Sequence, residues 1–289
     1  MQSGERYPLK REMPDLFQAI VLAVVQGVTE LFPVSSLGHA VILPHLFGWD
    51  VDQNAPTFLP FLVMLHVGTA LALLIYFWRD WWLLLSSLLD RRGGDGAKAE
   101  ARHVLLLIVL GTIPAGLIGL IFRGGLAGLF ADFRIAAVFL ILNGLLLAVG
   151  EFLRRRAGSA QLATLRPWQA IAIGTSQVIA LLPGFSRSGA TMVGGLLVGL
   201  EHQSAARFSF LLATPIILAA GVLEGPKLLQ PAARASLGPA VIGGIVAGVL
   251  AYGSTALLMR YFKQQEVNAL LPFSAYCVLL GLAALLFGH

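Results

Sequence analysis

Two short stretches concentrate the residues able to do chemistry. Gln26 to His39 reads QGVTELFPVSSLGH, and Leu181 to Thr191 reads LLPGFSRSGAT. In the first, Gln26 and Glu30 are four residues apart and share a helix face. A carboxylate inside a membrane is costly unless partnered, which makes Glu30 a functional candidate. It can bind a divalent cation through oxygen, accept a proton, or pair with an arginine. The plainer alternative is an interfacial glutamate near a helix end. Pro33 stops the helix near Phe32. Ser35 or Ser36 can cap the next helix, whose free N–H groups favour an anion. His39 follows Ser36 by three residues, so imidazole and hydroxyl share a face, the arrangement in which a base activates a serine. An isolated Ser–x–x–His is more often a cap beside a satisfied histidine.

In the second stretch Gly184 and Gly189 let backbone N–H groups approach a ligand closely. Ser186, Ser188 and Thr191 offer hydroxyls. The planar guanidinium of Arg187 suits bidentate contact with phosphate oxygens. A Gly/Ser turn with an arginine at a helix start is a phosphate cradle, although GxxxxGK[ST] spacing is absent. Arg187 paired with Glu30 for structure alone is the alternative. Together the stretches offer an acid, a hydroxyl nucleophile, a base and an anion clamp. Phosphate chemistry on a lipid-borne substrate is their simplest use.

The elements that must position these groups lie in a membrane. The chain has 289 residues, 57% hydrophobic and 12% charged, with mean hydropathy +0.81. A soluble domain is about a quarter charged. Runs at 58–78, 103–122 and 241–259 are long enough to cross a hydrocarbon core of roughly 30 Å. Barrel strands would alternate apolar and polar residues; these runs do not, so the fold class is all-α and polytopic. The +5 charge belongs to short loops under the positive-inside bias. No basic face with interleaved aromatics appears, so nucleic acid is excluded as a partner. The single cysteine, Cys277, permits no intrachain disulfide and reads as a small core residue. Arg6, Lys10, Arg11, Glu12 and Asp15 precede a run holding Gln26 and Glu30, which is not read as a cleavable signal.

Hydrophobic segments fall at about 16–32, 36–48, 58–78, 103–122, 134–150, 168–182, 189–200, 207–223, 238–260 and 269–288, about ten helices. The pairs 16–32/36–48 and 168–182/189–200 are short and joined by Pro, Gly and Ser. Such pairs can enter and leave the membrane on one side, provided the broken backbone lines a wet cavity or is buried in protein. Arg79, Arg91, Arg92, Lys98 and Arg102 form one basic loop, Arg154, Arg155, Arg156 and Arg166 another. Arg207, Arg260 and Lys263 fall on the same side if 168–200 re-enters. Six full transmembrane helices and two re-entrant pairs satisfy these loops and put both termini outside the cytoplasm. Within one integral membrane domain, 1–289, each pair opens a half, 16–150 and 168–288. Entry from opposite faces predicts an inverted-topology repeat whose broken helices form the site near the midplane.

Other polar residues read as weaker. His45 and His66 can approach the mouth, but a lone helical histidine is more often structural. Glu201, His202 and Arg207 read as a solvated interface. Asp80, Asp132 and Glu151 flank spans and need no special role. Asn143 reads as a bond to a neighbouring helix, and Trp78, Trp81 and Trp82 beside Arg79 as an interfacial aromatic belt.

On these residues the chain resembles the bacterial undecaprenyl-diphosphatases, the bacitracin-resistance phosphatase family. The family's (E/Q)xxxE motif is matched by Gln26 to Glu30, its PVSSxGH by Pro33 to His39, and its PGxSRSG by Pro183 to Gly189. Gln rather than Glu at 26 leaves one carboxylate there. The resemblance covers essentially the whole membrane domain. It implies hydrolysis of undecaprenyl diphosphate to undecaprenyl phosphate and inorganic phosphate. It also implies a divalent-cation requirement (Mg or Ca) and an active site open to the outer face of the bacterial inner membrane. A homodimer is left open. The mechanism expected has Glu30, helped by Gln26, placing the cation, and Arg187 with Ser186 and the glycine-turn N–H groups stabilising phosphoryl charge. His39 serves as base for Ser36 or for a water. A transporter or flippase of the lipid carrier, or of another anion, is the competing reading. A type-2 phosphatidic-acid phosphatase ranks lower, because Val193 stands where that class needs a histidine.

Overall fold

A computed structural model describes residues 14–89, 96–122, 132–154 and 160–288. Arg6, Lys10, Arg11, Glu12, Arg91, Arg92, Arg155 and Arg156, used above for topology, lie outside the described residues. No strand occurs among the described residues, apart from one bridge between Ala160 and Leu200. The helices are α1 (Leu16–Thr29), α2 (Ser36–Leu46), α3 (Phe58–Tyr76), α4 (Trp78–Ser86), α5 (Gly96–Phe122) and α6 (Phe133–Arg154). They continue with α7 (Pro167–Ser176), α8 (Arg187–Leu197), α9 (His202–Glu224), α10 (Arg234–Gln264) and α11 (Leu271–Phe287). Among the described residues five helices, α3, α5, α6, α9 and α10, are long and apolar enough to cross a membrane. The chain is therefore multi-pass. The segment 269–288, expected as a further span, is the 17-residue apolar helix α11. The aromatic stretch after Tyr76 is a separate helix, α4, set off by the non-helical backbone of Phe77.

In lipid, apolar side chains gain little by leaving their solvent, so helices associate through close packing of small residues. α3 crosses α10 so tightly that a β-carbon added at Gly68 would lie 1.9 Å from the Gly244 carbonyl oxygen. α1 presses on α10 at Gly27 and Ala247, and α7 presses on α5 at Gly174 and Gly111, with corresponding approaches of 2.5 and 2.1 Å. These contacts hold α1 and α7 against long helices while each stops inside the molecule.

The two short pairs are broken helices. Glu30 closes α1, its N–H bonding the Gln26 carbonyl at 2.9 Å, and Pro33 prevents continuation. The second half begins when Ser35 Oγ accepts the Gly38 N–H at 3.1 Å. After α7, a 3-10 turn runs over Gln177–Leu181. Gly184 then reverses the chain at φ +105, and Ser186 Oγ accepts the Gly189 N–H at 3.1 Å. Each second half thus starts with a serine capping a glycine three residues on.

One end of the bundle collects the ends of α4, α6, α9 and α10. Arg207 pairs with Asp80, joining α9 to α4. Arg154 pairs with Glu266, joining α6 to the α10–α11 link. Glu201, His202 and Arg207 were expected as a solvated interface, but His202 is fully buried. Its Nε2 lies 2.8 Å from Glu151 Oε2. Glu151, expected to have no special role, also accepts the backbone N–H groups of Asn268 and Leu270 at 2.9 and 3.1 Å. The buried carboxylate is satisfied because, at a helix end, it collects three donors from two other chain segments.

Candidate active site

The two turns meet. A β-carbon at Gly38 would lie 3.0 Å from Gly184 Cα, and one at Gly189 would lie 3.3 Å from Pro33 Cβ. Asn143 of α6 stitches them: its Nδ2 donates to the Pro33 carbonyl at 3.0 Å, and its Oδ1 accepts the Ser186 N–H at 3.0 Å. Ser188 Oγ donates to the Phe32 carbonyl at 3.0 Å. Broken backbone at membrane depth is thereby satisfied by side chains from neighbouring helices.

Across this junction Glu30 gathers partners from four helices, α1, α2, α3 and α8. Its Oε1 accepts Arg187 Nη2 at 2.9 Å. Its Oε2 accepts Ser36 Oγ at 2.5 Å and Gln26 Nε2 at 3.0 Å. His66 Nε2 stands 3.2 Å from the same oxygen, while His66 Nδ1 donates to the Leu62 carbonyl at 2.8 Å. The side chains of Glu30 and Arg187 are only 6% and 16% exposed, so removing either strands a charge, which for buried pairs costs about 3–5 kcal/mol.

Glu30, Ser35, Ser36, His66, Ser186 and Arg187 line one side of a cavity of about 260 Å³. The rest of its lining is apolar and includes Leu59, Val63, Leu181, Phe185, Ile216 and Ala220. Of the other sequence candidates, Gln26 sits behind Glu30. Gly184, Ser188 and Gly189 build the turns. Thr191 faces α9, its Oγ1 donating to Ser209 Oγ at 2.5 Å.

Ser36 and His39 were expected to hydrogen-bond, and they do not. His39 Nδ1 donates to the Ser35 carbonyl at 2.7 Å, and Nε2 meets the Tyr276 hydroxyl at 2.7 Å. The reason is local: the Ser35 carbonyl lies one helical turn before His39 and takes its ring N–H, while Ser35, at φ +64, forms the bend that brings the Ser36 side chain to Glu30. Sequence reasoning underrated His66 and Asn143 and did not name Tyr276. The one available signal is cost, since polar side chains inside apolar spans are retained where a partner exists.

A resident cation finds few ligands here. Ca²⁺ takes six to eight oxygens and Mg²⁺ an octahedral set. No three His, Cys, Asp or Glu side chains gather among the described residues. Both Glu30 oxygens already accept donors, and Gln26 turns its amide nitrogen towards the carboxylate. These residues do not fit a cation held by protein alone.

Residues 19–283 match the family described as bacitracin resistance protein BacA. The chain belongs to that family. The undecaprenyl-diphosphatase of Acidiphilium cryptum is 54% identical over 275 residues, covering 93% of this chain and 96% of the relative. Undecaprenyl-diphosphatase 2 of Chromobacterium violaceum is 52% identical over 271 residues, with 93% and 98% covered. The undecaprenyl-diphosphatase of Granulibacter bethesdensis is 48% identical over 298 residues, with 97% and 99% covered. In this BacA chain the motif residues Glu30, Ser36 and Arg187 are those drawn into one cluster.

Proposed function

We propose that the chain hydrolyses undecaprenyl diphosphate to undecaprenyl phosphate and inorganic phosphate, recycling the lipid carrier for cell-wall synthesis. The observation that carries this is the Glu30–Ser36–Arg187 cluster inside a cavity with an apolar wall, which suits a charged head on a lipid tail. Relatives named for that substrate, about half identical over nearly the whole chain, support the same reading. The Glu30 carboxylate sits at the anion position beside Arg187. The diphosphate takes that position, and Arg187, Ser186 and the N–H groups of the glycine turn hold its oxygens. Glu30, freed from the guanidinium, is the stronger base for the Ser36 proton. Ser36 Oγ bonds to the terminal phosphorus, the bond to the bridging oxygen breaks, and the proton passes by way of Glu30 to the departing lipid phosphate. Water then attacks the phosphoserine, giving one proton to Ser36 through Glu30, and releases phosphate.

His39 acts here as a positioning residue, holding the Ser35 carbonyl. The divalent cation arrives bound to the diphosphate oxygens, as part of the substrate. The site opens to the outer face of the bacterial inner membrane. The fold is an inverted repeat of 16–150 and 168–288, with six spans and two re-entrant pairs. The matching serine caps, the reciprocal contact of the two turns, and the parallel seating of α1 on α10 and α7 on α5 support it. Phosphate release from undecaprenyl diphosphate by the purified protein in detergent tests the function. Binding without release would instead favour a carrier of the lipid.

A further inference from the structure

Resting on the reading that the substrate is a polyprenyl diphosphate, we infer that its isoprenoid tail lies in the apolar groove between α5 and α9, entered past Leu181 and Ile216. The groove encloses about 400 Å³. Ile108 forms its buried floor, and Val109, Ile113, Leu117 and Leu120 its exposed rim. Its hydroxyl, Thr112 Oγ1, donates to the Ile108 carbonyl at 2.7 Å, and its one other side-chain polar group is the indole N–H of Trp81, a buried donor without a partner. Pro215 and Trp81 also line it. From Leu105 to Leu120 it follows α5 for about 22 Å at 1.5 Å per residue, a large part of the roughly 30 Å hydrocarbon core.

Continuity with the active site names the occupant. Leu181 and Ile216 belong to the cavity wall, and Pro215, one residue before Ile216, belongs to the groove. Where these side chains meet α5, the helix presents glycines. A β-carbon at Gly116 would lie 3.7 Å from Ile216 Cδ1, and one at Gly119 would lie 3.8 Å from Leu181 Cδ2. The partition is thus two apolar side chains at ordinary contact distance, free to change rotamer. A second apolar groove, between α3 and α10, is divided from the cavity by a tighter contact. There Val67 packs on α9 so closely that a β-carbon at Gly221 would lie 2.5 Å from Val67 Cγ2. A diphosphate held at Arg187 therefore finds its apolar exit on the α5 side. Burial of isoprene carbons along the groove adds affinity in proportion to the area removed from contact with water or detergent.

The test compares undecaprenyl diphosphate with geranyl diphosphate, whose tail is too short to follow the groove. In detergent, Gly116→Trp and Ile113→Trp are expected to lower the ratio of kcat/KM for the long substrate over the short one by about tenfold or more. Leu71→Trp, in the α3–α10 groove, is expected to leave that ratio unchanged. An undecaprenyl diphosphate carrying a diazirine at the tail end should label residues between 105 and 120 of the wild type on irradiation. The inference fails if the ratio is unchanged in both α5 variants, or if adducts map to α3 and α10 or only to detergent. Wild-type protein that releases phosphate while the ratio stays flat overturns the groove alone. Wild-type protein that releases no phosphate overturns the function itself.

Discussion

Ser36 has two candidate proton acceptors nearby, separated by what each already holds. Glu30 Oε2 is 2.5 Å away, whereas both ring nitrogens of His39 are taken by Ser35 and Tyr276. Acid-quenched wild-type protein is expected to carry phosphate on Ser36, and Ser36→Ala to lose on the order of hundredfold in turnover. Phosphopeptide mapping and phosphate release check both, and unimpaired turnover by Ser36→Ala would point to water as nucleophile. Arg187 supplies a fork that lysine does not reproduce. Arg187→Lys, which keeps the charge, should therefore still lose on the order of hundredfold in kcat/KM if the clamp acts on the transition state. Glu30→Gln separates base from metal ligand. Turnover should collapse while the concentration of cation giving half-maximal residual rate stays near the wild-type value. A large shift in that concentration would return Glu30 to the metal.

At the scale of elements, two serine-capped turns are held by one amide. Asn143→Leu removes the donor to Pro33 and the acceptor for Ser186 together. Each buried group left without a partner costs about 1–3 kcal/mol. The variant should melt several degrees lower in detergent and lose phosphate release, because the turns carry Glu30 and Arg187. Gly184 is a second fixed point. At φ +105, and with the Ala136 carbonyl oxygen 2.3 Å from any added β-carbon, Gly184→Ala should prevent correct closure. Thermal unfolding followed by size-exclusion chromatography would detect it, and wild-type stability in that variant would mean that the turn has another way to close. The turns were legible in sequence because Pro, Gly and Ser break helices locally. Asn143, 43 residues from Ser186, was not, since nothing in its neighbourhood says which turn a helix face will meet.

Across the whole molecule, the ties Glu151–His202, Arg154–Glu266 and Arg207–Asp80 join the ends of α4, α6 and α9 and the α10–α11 link. Glu151→Ala takes the 2.8 Å partner from the buried His202 Nε2 and leaves Glu266 Oε2 at 3.6 Å from Nδ1. Losing that buried hydrogen-bond acceptor is expected to cost about 1–3 kcal/mol, lowering the thermal midpoint by several degrees. Phosphate release at low temperature should survive, since Glu151 bonds to His202, Asn268 and Leu270 rather than to the Glu30 cluster. Loss of activity with an unchanged midpoint would tie this cluster to the chemistry instead. Orientation has its own measurement. With Cys277, buried in the core, replaced by serine, a cysteine at Gly225 should react with an impermeant maleimide added to intact spheroplasts, and one at Asp80 should not. The reverse pattern would invert the topology.

The sequence alone determined the all-helical multi-pass class, the two broken pairs and the motif residues. Each follows from local causes: unbroken apolar length, helix-stopping Pro and Gly, and charge inside an oily run. The expected segments coincide with helices, although the one expected at 103–122 already starts at Gly96 and the one at 168–182 turns 3-10 after Ser176; α4 was hidden because an amphipathic aromatic stretch beside a span also reads as a membrane belt. Only the tertiary structure decided which groups touch. Spacing placed His39 beside Ser36, but the positive φ of Ser35 rotates the turn and gives Ser36 to Glu30. His66 reaches Glu30, and Asn143 reaches both turns, because glycine-mediated helix crossings bring distant faces within hydrogen-bonding range. Partners of that kind depend on the direction of a helix face in three dimensions, which a single helix does not encode.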